Sequence, residues 1–271
     1  MGNKYKLIKE RWIHEFIPKI NHDNPYCELF CGSAVMFFNI EAPFAFLNDI
    51  NKELQNFWKV IRDRYDEFQE RIKYYWPGMV VDVKDEIDSA VQFYISNLLS
   101  NFITKPMKLD KTIEFWKKKL DSVRLWIDCR PFDEEMKYLM KLYTKNDENR
   151  PMSIRFYEDP PYFGSEDVYK SYRKDQNIEK IPKFDHELLA ELNHKADQEG
   201  HFILLSYNDC PEIRELYTGW YMKSYEYNPN GKNAGRANDR NELIISNFPL
   251  QRQGYKKLTF FQKNGGKKNE E

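Results

Sequence analysis

The chain lacks any run of eighteen or more apolar residues, and this excludes a membrane-spanning helix of ordinary length. Its first residues, Met1-Gly2-Asn3-Lys4-Tyr5, carry charge at once and form no apolar export segment, so a cytoplasmic protein without membrane partners is expected. Cysteine is sparse. Cys27, Cys31, Cys129 and Cys210 are scattered without a CxxC pair, and they read as buried, reduced thiols rather than a metal or disulfide framework. His14, His22, His186, His194 and His201 show no ligand spacing either, so no metal site is expected. An excess of either charge is missing too. With 42 basic and 43 acidic residues the formal net charge is −1, so any contact with nucleic acid must come from a local basic face. There is no GxGxxG fingerprint, which argues against a nicotinamide-dependent oxidoreductase, and no internal repeat.

What is present is an ordered alternation of strand-like and helix-like segments. A helical stripe over Lys4 to Ile17 closes at Pro18. Pro25 to Phe30 reads as a strand, Gly32-Ser33 as a turn and Ala34 to Ile40 as a helix. Phe44 to Leu47 is a second strand, and Lys52 to Arg71 one long amphipathic helix. Such an order implies right-handed parallel crossovers. The alternation breaks at Trp76-Pro77-Gly78, where helical stretches at Glu86 to Phe102 and Lys111 to Leu120 suggest an insertion. It resumes with strands at Val123 to Ile127, Ser153 to Glu158 and His201 to Ser206. Helices near Phe132 to Tyr143, Phe184 to Glu199 and Pro211 to Leu216 separate them, and strands at Trp220 to Tyr227 and Glu242 to Asn247 flank the loop Asn228 to Asn241. The expected fold is α/β, a mostly parallel, doubly wound sheet with an inserted helical lobe. Residues 1–75 and 121–260 would form the main domain, 76–120 the lobe and 261–271 a disordered tail.

Candidate chemistry gathers at the carboxyl ends of the strands, where a doubly wound sheet binds its ligands. Asp159-Pro160-Pro161-Tyr162 follows an aromatic-rich strand. The double proline stops that strand and fixes a carboxylate and a ring relative to each other, an arrangement suited to a flat ligand. The Asp159 carboxylate and the Pro160 carbonyl can accept the two N–H bonds of an exocyclic amine while Tyr162 stacks on a base. Glu28-Leu29-Phe30-Cys31-Gly32-Ser33 follows the first strand, where a glycine lets backbone approach a ligand and the next helix would offer free N–H groups. Asp49, seventeen residues after Gly32, suits the two hydroxyls of a ribose, or else caps the helix that follows.

These pieces, with Gly2-Asn3-Lys4, Asn48-Asp49-Ile50-Asn51, Ser206-Tyr207-Asn208-Asp209 and Arg240-Asn241-Glu242-Leu243, resemble the DNA adenine-N6 methyltransferase family of the Dam type, the D12 class. They span nearly the whole chain in that family's order. The resemblance implies a Rossmann-like methyltransferase sheet, S-adenosylmethionine as cofactor, and a monomeric enzyme acting on double-stranded DNA. It implies that Gly2, Asn3 and Lys4 contact the cofactor's methionine end. Glu28, Phe30, Cys31, Gly32 and Ser33 would shape the cofactor pocket, Asp49 and Ile50 hold the ribose side, and Phe132 line the cofactor adenine. Asp159, Pro160, Pro161 and Tyr162 would form the catalytic motif, with Asp159 also beside the cofactor. Where the family carries an acidic residue before its phenylalanine, this chain has Pro131.

Recognition of the target would then fall to the inserted lobe and to the loop holding Lys232, Arg236 and Arg240. For Lys117-Lys118-Lys119 the choice lies between a phosphate contact and a solvated helix face. Rival readings are an inactive nucleic-acid-binding homologue and an amino-methyltransferase of cytosine N4 or RNA adenine. The leading Asp of the motif, where cytosine enzymes commonly have Ser, favours adenine.

Overall fold

A computed structural model of the protein describes residues 13–75, 78–98, 111–143, 152–164, 184–227 and 240–251. Seven strands form one sheet: β1 (Tyr26–Glu28), β2 (Phe44–Asn48), β3 (Arg124–Asp128), β4 (Arg155–Glu158), β5 (Phe202–Asn208), β6 (Tyr221–Tyr227) and β7 (Arg240–Ser246). Their order across the sheet is β3-β2-β1-β4-β5-β7-β6. The five strands from β3 to β5 are mutually parallel, and β7 runs against both β5 and β6.

Side chains alternate between the two faces of a strand, and both faces here are covered, so the central strands are apolar at nearly every position. Tyr26, Ala45, Leu47, Tyr157, Leu204 and Ile244 enter one core layer. Their neighbours Cys27, Phe44, Phe46, Phe156, Ile203, Leu205, Leu243 and Ile245 enter the other. The first layer is closed by α1 (Lys52–Asp63), α2 (Tyr65–Ile72), α3 (Glu86–Phe93) and α4 (Lys111–Asp121), through Phe57, Trp58, Phe68, Val91 and Leu120. The second is closed by α5 (Phe132–Leu142), α6 (His186–Gln198) and α7 (Pro211–Leu216), through Met136, Leu139, Leu189, Leu192 and Ile213. Burial of side chains this large, each contributing about 1.5–3 kcal/mol, is the main force holding the layers.

The expected doubly wound, mostly parallel sheet is therefore observed, with corrections of detail. The helix expected over Ala34 to Ile40 is only a 3-10 turn, Phe37–Asn39. Gly32 and Ala34 both have positive φ, 47° and 50°, and a left-handed residue cannot propagate a right-handed helix. The single helix expected from Lys52 to Arg71 breaks at Arg64, whose φ of −133° and ψ of 35° leave the helical region. Asp85 caps α3 by accepting from the Asp88 N–H, and Arg71 joins that end of α3 to α2 through ion pairs with Asp85 and Asp88. The described parts of 78–120 pack on α1 within the same apolar layer as the sheet. Of the expected helix Lys4 to Ile17, only a 3-10 turn at Ile13–Phe16 lies among the described residues. Most of the loop 228–241 and the segment 261–271 lie outside them.

Candidate active site

The chain order reverses at the middle of the sheet: β1 leads outward through β2 to β3, while β4 leads the other way to β5. The carboxyl ends of β1 and β4 thus flank a switch point, the place where an open α/β sheet leaves a crevice. The segment after β1 carries Phe30 to Ser33, and the segment after β4 carries Asp159 to Phe163, so the two motifs meet there. Leu47 and Tyr157, each in register with Glu28, place the segments after β2 and β4 on either side of the one after β1.

Asp49 follows β2 and ties two loops together. One carboxylate oxygen accepts from the Gly32 N–H at 3.0 Å and the other from the Asn51 N–H at 2.9 Å. The helix cap at α1 belongs to Asn51, whose side chain accepts from the Glu53 and Leu54 N–H groups. The capping role is therefore not that of Asp49. Asn48 braces the same region by donating to the Leu29 and Arg130 carbonyls, each at 3.1 Å. Ile50 is largely exposed beside it.

The segment after β1 is held by the protein's own acceptors, a correction to the free helix N-terminus expected there. Cys31 N–H donates to the Asn48 carbonyl, Ala34 N–H to the Cys31 carbonyl, and Phe37 N–H to the Glu28 carboxylate at 2.6 Å. Glu28 is buried, and the same oxygen also accepts from the Tyr26 hydroxyl at 2.9 Å. Burial pushes its carboxyl up to about 8 despite these donors. Cys31 is buried with its Sγ 3.3 Å from Gln55 Nε2. Ser33 is partly exposed. Beside Gly32 there is open space: a Cβ built on it meets nothing within 4 Å.

An aromatic wall runs along the crevice. Phe30 lies 5.6 Å from both Phe132 and Phe184, and those two rings are 5.1 Å apart. Phe184 continues to His186 at 4.9 Å, and His186 to Phe163 at 5.2 Å. His186 Nδ1 lies 2.5 Å from the Tyr207 hydroxyl, and the Tyr207 ring 6.4 Å from that of Tyr162. Pro131 occupies the N-cap position of α5 and Phe132 begins it, which sets that ring at the mouth of the β3 loop.

The motif after β4 is pinned at its far end. The Tyr162 hydroxyl donates to the Glu242 carboxylate, 2.7 and 2.6 Å from its two oxygens. Burial, and then the nearby Asp159 and Glu242 carboxylates, push the phenol well above its ordinary range, so it remains a donor. Phe163 is held through its backbone by Asn208. Pro160 is buried, whereas Asp159, Pro161 and Tyr162 are partly exposed toward the crevice rim. The preceding Glu158 faces the other layer, accepts from Asn193 Nδ2 at 2.8 Å and is raised to about 8 by burial.

The structure thus brings Phe30 to Ser33, Asp49, Phe132 and Asp159 to Tyr162 to one end of the sheet. Gly2, Asn3 and Lys4 lie outside the described residues. Sequence reasoning missed Phe184, Asn208 and Glu242 as members of the site. The stretches Ser206 to Asp209 and Arg240 to Leu243 contain the last two, but their partners lie far away in the chain.

A central parallel sheet with one reversed strand, and a carboxylate-proline-proline-tyrosine motif at its switch point, define a Rossmann-like amino-methyltransferase. The model of the D12 class N6 adenine-specific DNA methyltransferase family matches residues 1–136, and the chain belongs to that family. It is an enzyme that methylates adenine N6 in DNA, and membership implies S-adenosylmethionine as methyl donor. A curated relative, the Type II methyltransferase M1.LlaDCHI of Lactococcus lactis subsp. cremoris, is 22% identical over 91% of this chain and 93% of its own length. Among solved structures, the rRNA methyltransferase aviRa from Streptomyces viridochromogenes overlaps 88% of this chain and 81% of its own, at TM-score 0.39 and 10% identity. Among the described residues there is no cluster able to hold a metal, and no helix long and apolar enough to cross a membrane.

Proposed function

We propose that Asp159 and Tyr162 hold the target adenine of double-stranded DNA after it has left the duplex stack. The Asp159 carboxylate and the Pro160 carbonyl accept the two N6–H bonds. Adenine N6 is a poor nucleophile because its lone pair is delocalised into the ring, and two acceptors below that plane draw the nitrogen toward tetrahedral geometry. Pro161 keeps the acceptors and the ring in fixed relation, and Tyr162 stacks on the base. The observation that carries this reading is the pinned Tyr162, presented after two prolines beside the switch point.

The residues present suit S-adenosylmethionine. Asp49 offers acceptor oxygens to a ribose, the open side of Gly32 admits close approach, and Phe30 and Phe132 offer ring surface to a purine. Bound there, S-adenosylmethionine supplies an electrophilic methyl group on a positively charged sulfur. Glu28, Cys31, Ser33 and Ile50 complete the walls of that pocket, and Lys4, with Gly2 and Asn3, pairs with the carboxylate end of the cofactor. No cysteine nucleophile is required, and the amine proton leaves after transfer.

Target recognition falls to residues 76–120 and the loop 228–241, set against a catalytic body formed by 1–75 and 121–260. The chain acts as a monomer in the cytoplasm. The test is transfer of a radiolabelled methyl group from S-adenosylmethionine to mixed-sequence duplex DNA, followed by digestion to nucleosides. Label is expected in N6-methyl-2′-deoxyadenosine and absent with Asp159→Ala, which still binds cofactor. Label in N4-methyl-2′-deoxycytidine, label in a parallel RNA substrate but none in the DNA, or undiminished label with a folded Asp159→Ala would overturn the reading.

A further inference from the structure

We propose that Glu242 is a positioning residue for methyl transfer, acting on the target base through the hydroxyl of Tyr162. The inference rests on the reading of Tyr162 as the ring that stacks on adenine. Glu242 sits on β7, 1% exposed, and both of its oxygens lie within hydrogen-bond distance of the Tyr162 hydroxyl. Ser206 on β5 donates to the same carboxylate. In the β5 to β7 pairing Glu242 stands in register with Asn208. Two cross-strand partners therefore grip two consecutive loop residues: Asn208 holds Phe163 by its backbone, and Glu242 holds Tyr162 by the tip of its side chain.

With the backbone fixed near its Cβ and the hydroxyl fixed at its far end, the long axis of the phenol ring is determined. Rotation about that axis is then limited because a phenolic O–H prefers to lie in the ring plane, toward the acceptor. Burying a carboxylate is expensive, and a neutral acceptor would suffice to fill the space. A charge-assisted bond is roughly twice as strong as a neutral one, which suits a ring that must keep its plane while a base arrives. It also leaves the ring more electron-rich, and so more attractive to positive charge beside its face.

The test is a double-mutant cycle read by single-turnover methyl transfer to duplex DNA, with cofactor affinity by calorimetry and melting temperature for each variant. Tyr162→Phe and Glu242→Gln are each expected to slow transfer about tenfold, with cofactor affinity unchanged. The double variant is expected to be no slower than the slower single, since Tyr162→Phe removes the bond that Glu242→Gln only weakens by taking away its charge. Losses that multiply to about a hundredfold, or a normal rate in Glu242→Gln, would overturn the inference. If Glu242→Gln does not fold, Ser206→Ala serves in its place. Its slowing must vanish in the Tyr162→Phe background, where a merely structural loss would persist. Tyr162→Ala separates the two readings: wild-type rate there removes the stacking role itself, whereas slow transfer with a normal Glu242→Gln removes only the role of Glu242.

Discussion

Asn208 brackets the peptide of Phe163: its side-chain oxygen accepts from the Phe163 N–H at 2.9 Å and its amide donates to the Phe163 carbonyl at 3.2 Å. A residue at the end of β5 thus mimics a strand partner for the loop that follows β4. Asn208→Ala removes both bonds at a cost of about 1–3 kcal/mol. We expect the single-turnover rate to fall by about tenfold or more while cofactor affinity holds, because the loop is the one proposed to hold the base. Calorimetry beside rapid-quench kinetics would show this split, and an equal loss in both would contradict it.

Asp49 joins the loops after β1 and β2 and is the residue proposed for the ribose. Asp49→Ala should weaken S-adenosylmethionine binding at least about tenfold and lower the melting temperature, because the Gly32 and Asn51 N–H groups lose their acceptor. Asp49→Asn keeps one acceptor oxygen and should recover part of each. An unchanged dissociation constant in Asp49→Ala would rule out the ribose contact.

The Asn51 side-chain oxygen caps α1 by accepting from two backbone N–H groups, so Asn51→Ala should cost about 1 kcal/mol, and at most about 2. Denaturant unfolding measures this directly. Methyl transfer should be affected far less than by Asp49→Ala, although the two positions are only two residues apart.

The buried carboxyls impose a pH dependence on stability. Glu28 and Glu158 are both raised to about 8 by burial, from an ordinary value of 4.5. The folded chain holds protons that the unfolded chain releases. Their contribution is therefore full below about pH 4.5, declines as pH rises, and is gone above about 8. The melting temperature should fall between about pH 5 and 8. Glu28→Gln keeps an acceptor for Tyr26 and Phe37 but cannot ionise, and should flatten that slope. Parallel slopes in scanning calorimetry would show that Glu28 is not among the titrating groups.

The sheet was legible because its signal is local. Strands buried on both faces are apolar at consecutive positions, as in Phe44 to Leu47 and Ile203 to Leu205, and prolines or glycines punctuate them. The helices α5, α6 and α7 fall within two residues of their expected ends for the same reason. The Ala34 to Ile40 helix was not foreseeable as a mere turn: an alanine is the best helix former, and only the positive φ at Ala34 stops it. Nor does the pattern around Arg64 contain a proline or glycine to mark the break there. At Asp49 the spacing favoured a ligand over a cap, and the cap of α1 is made by Asn51. The supports of the site were hidden by distance. Tyr162 and Glu242 are 80 residues apart, and Phe163 and Asn208 are 45, so no local spacing announces either pair.

The reversed seventh strand also dictates the order in which the enzyme is finished. On the ribosome β5 is made well before β7, and β6 emerges with no neighbour to pair with, since β7 stands between them. Until Arg240 to Ser246 is made, the outer edge of β5 has no strand to pair with, the kind of surface that recruits other chains. The strand that closes the edge also delivers Glu242. One strand supplies both the pairing to β5 and the bond to Tyr162, so a nascent chain stopped short of residue 240 would have its motif but no grip on Tyr162.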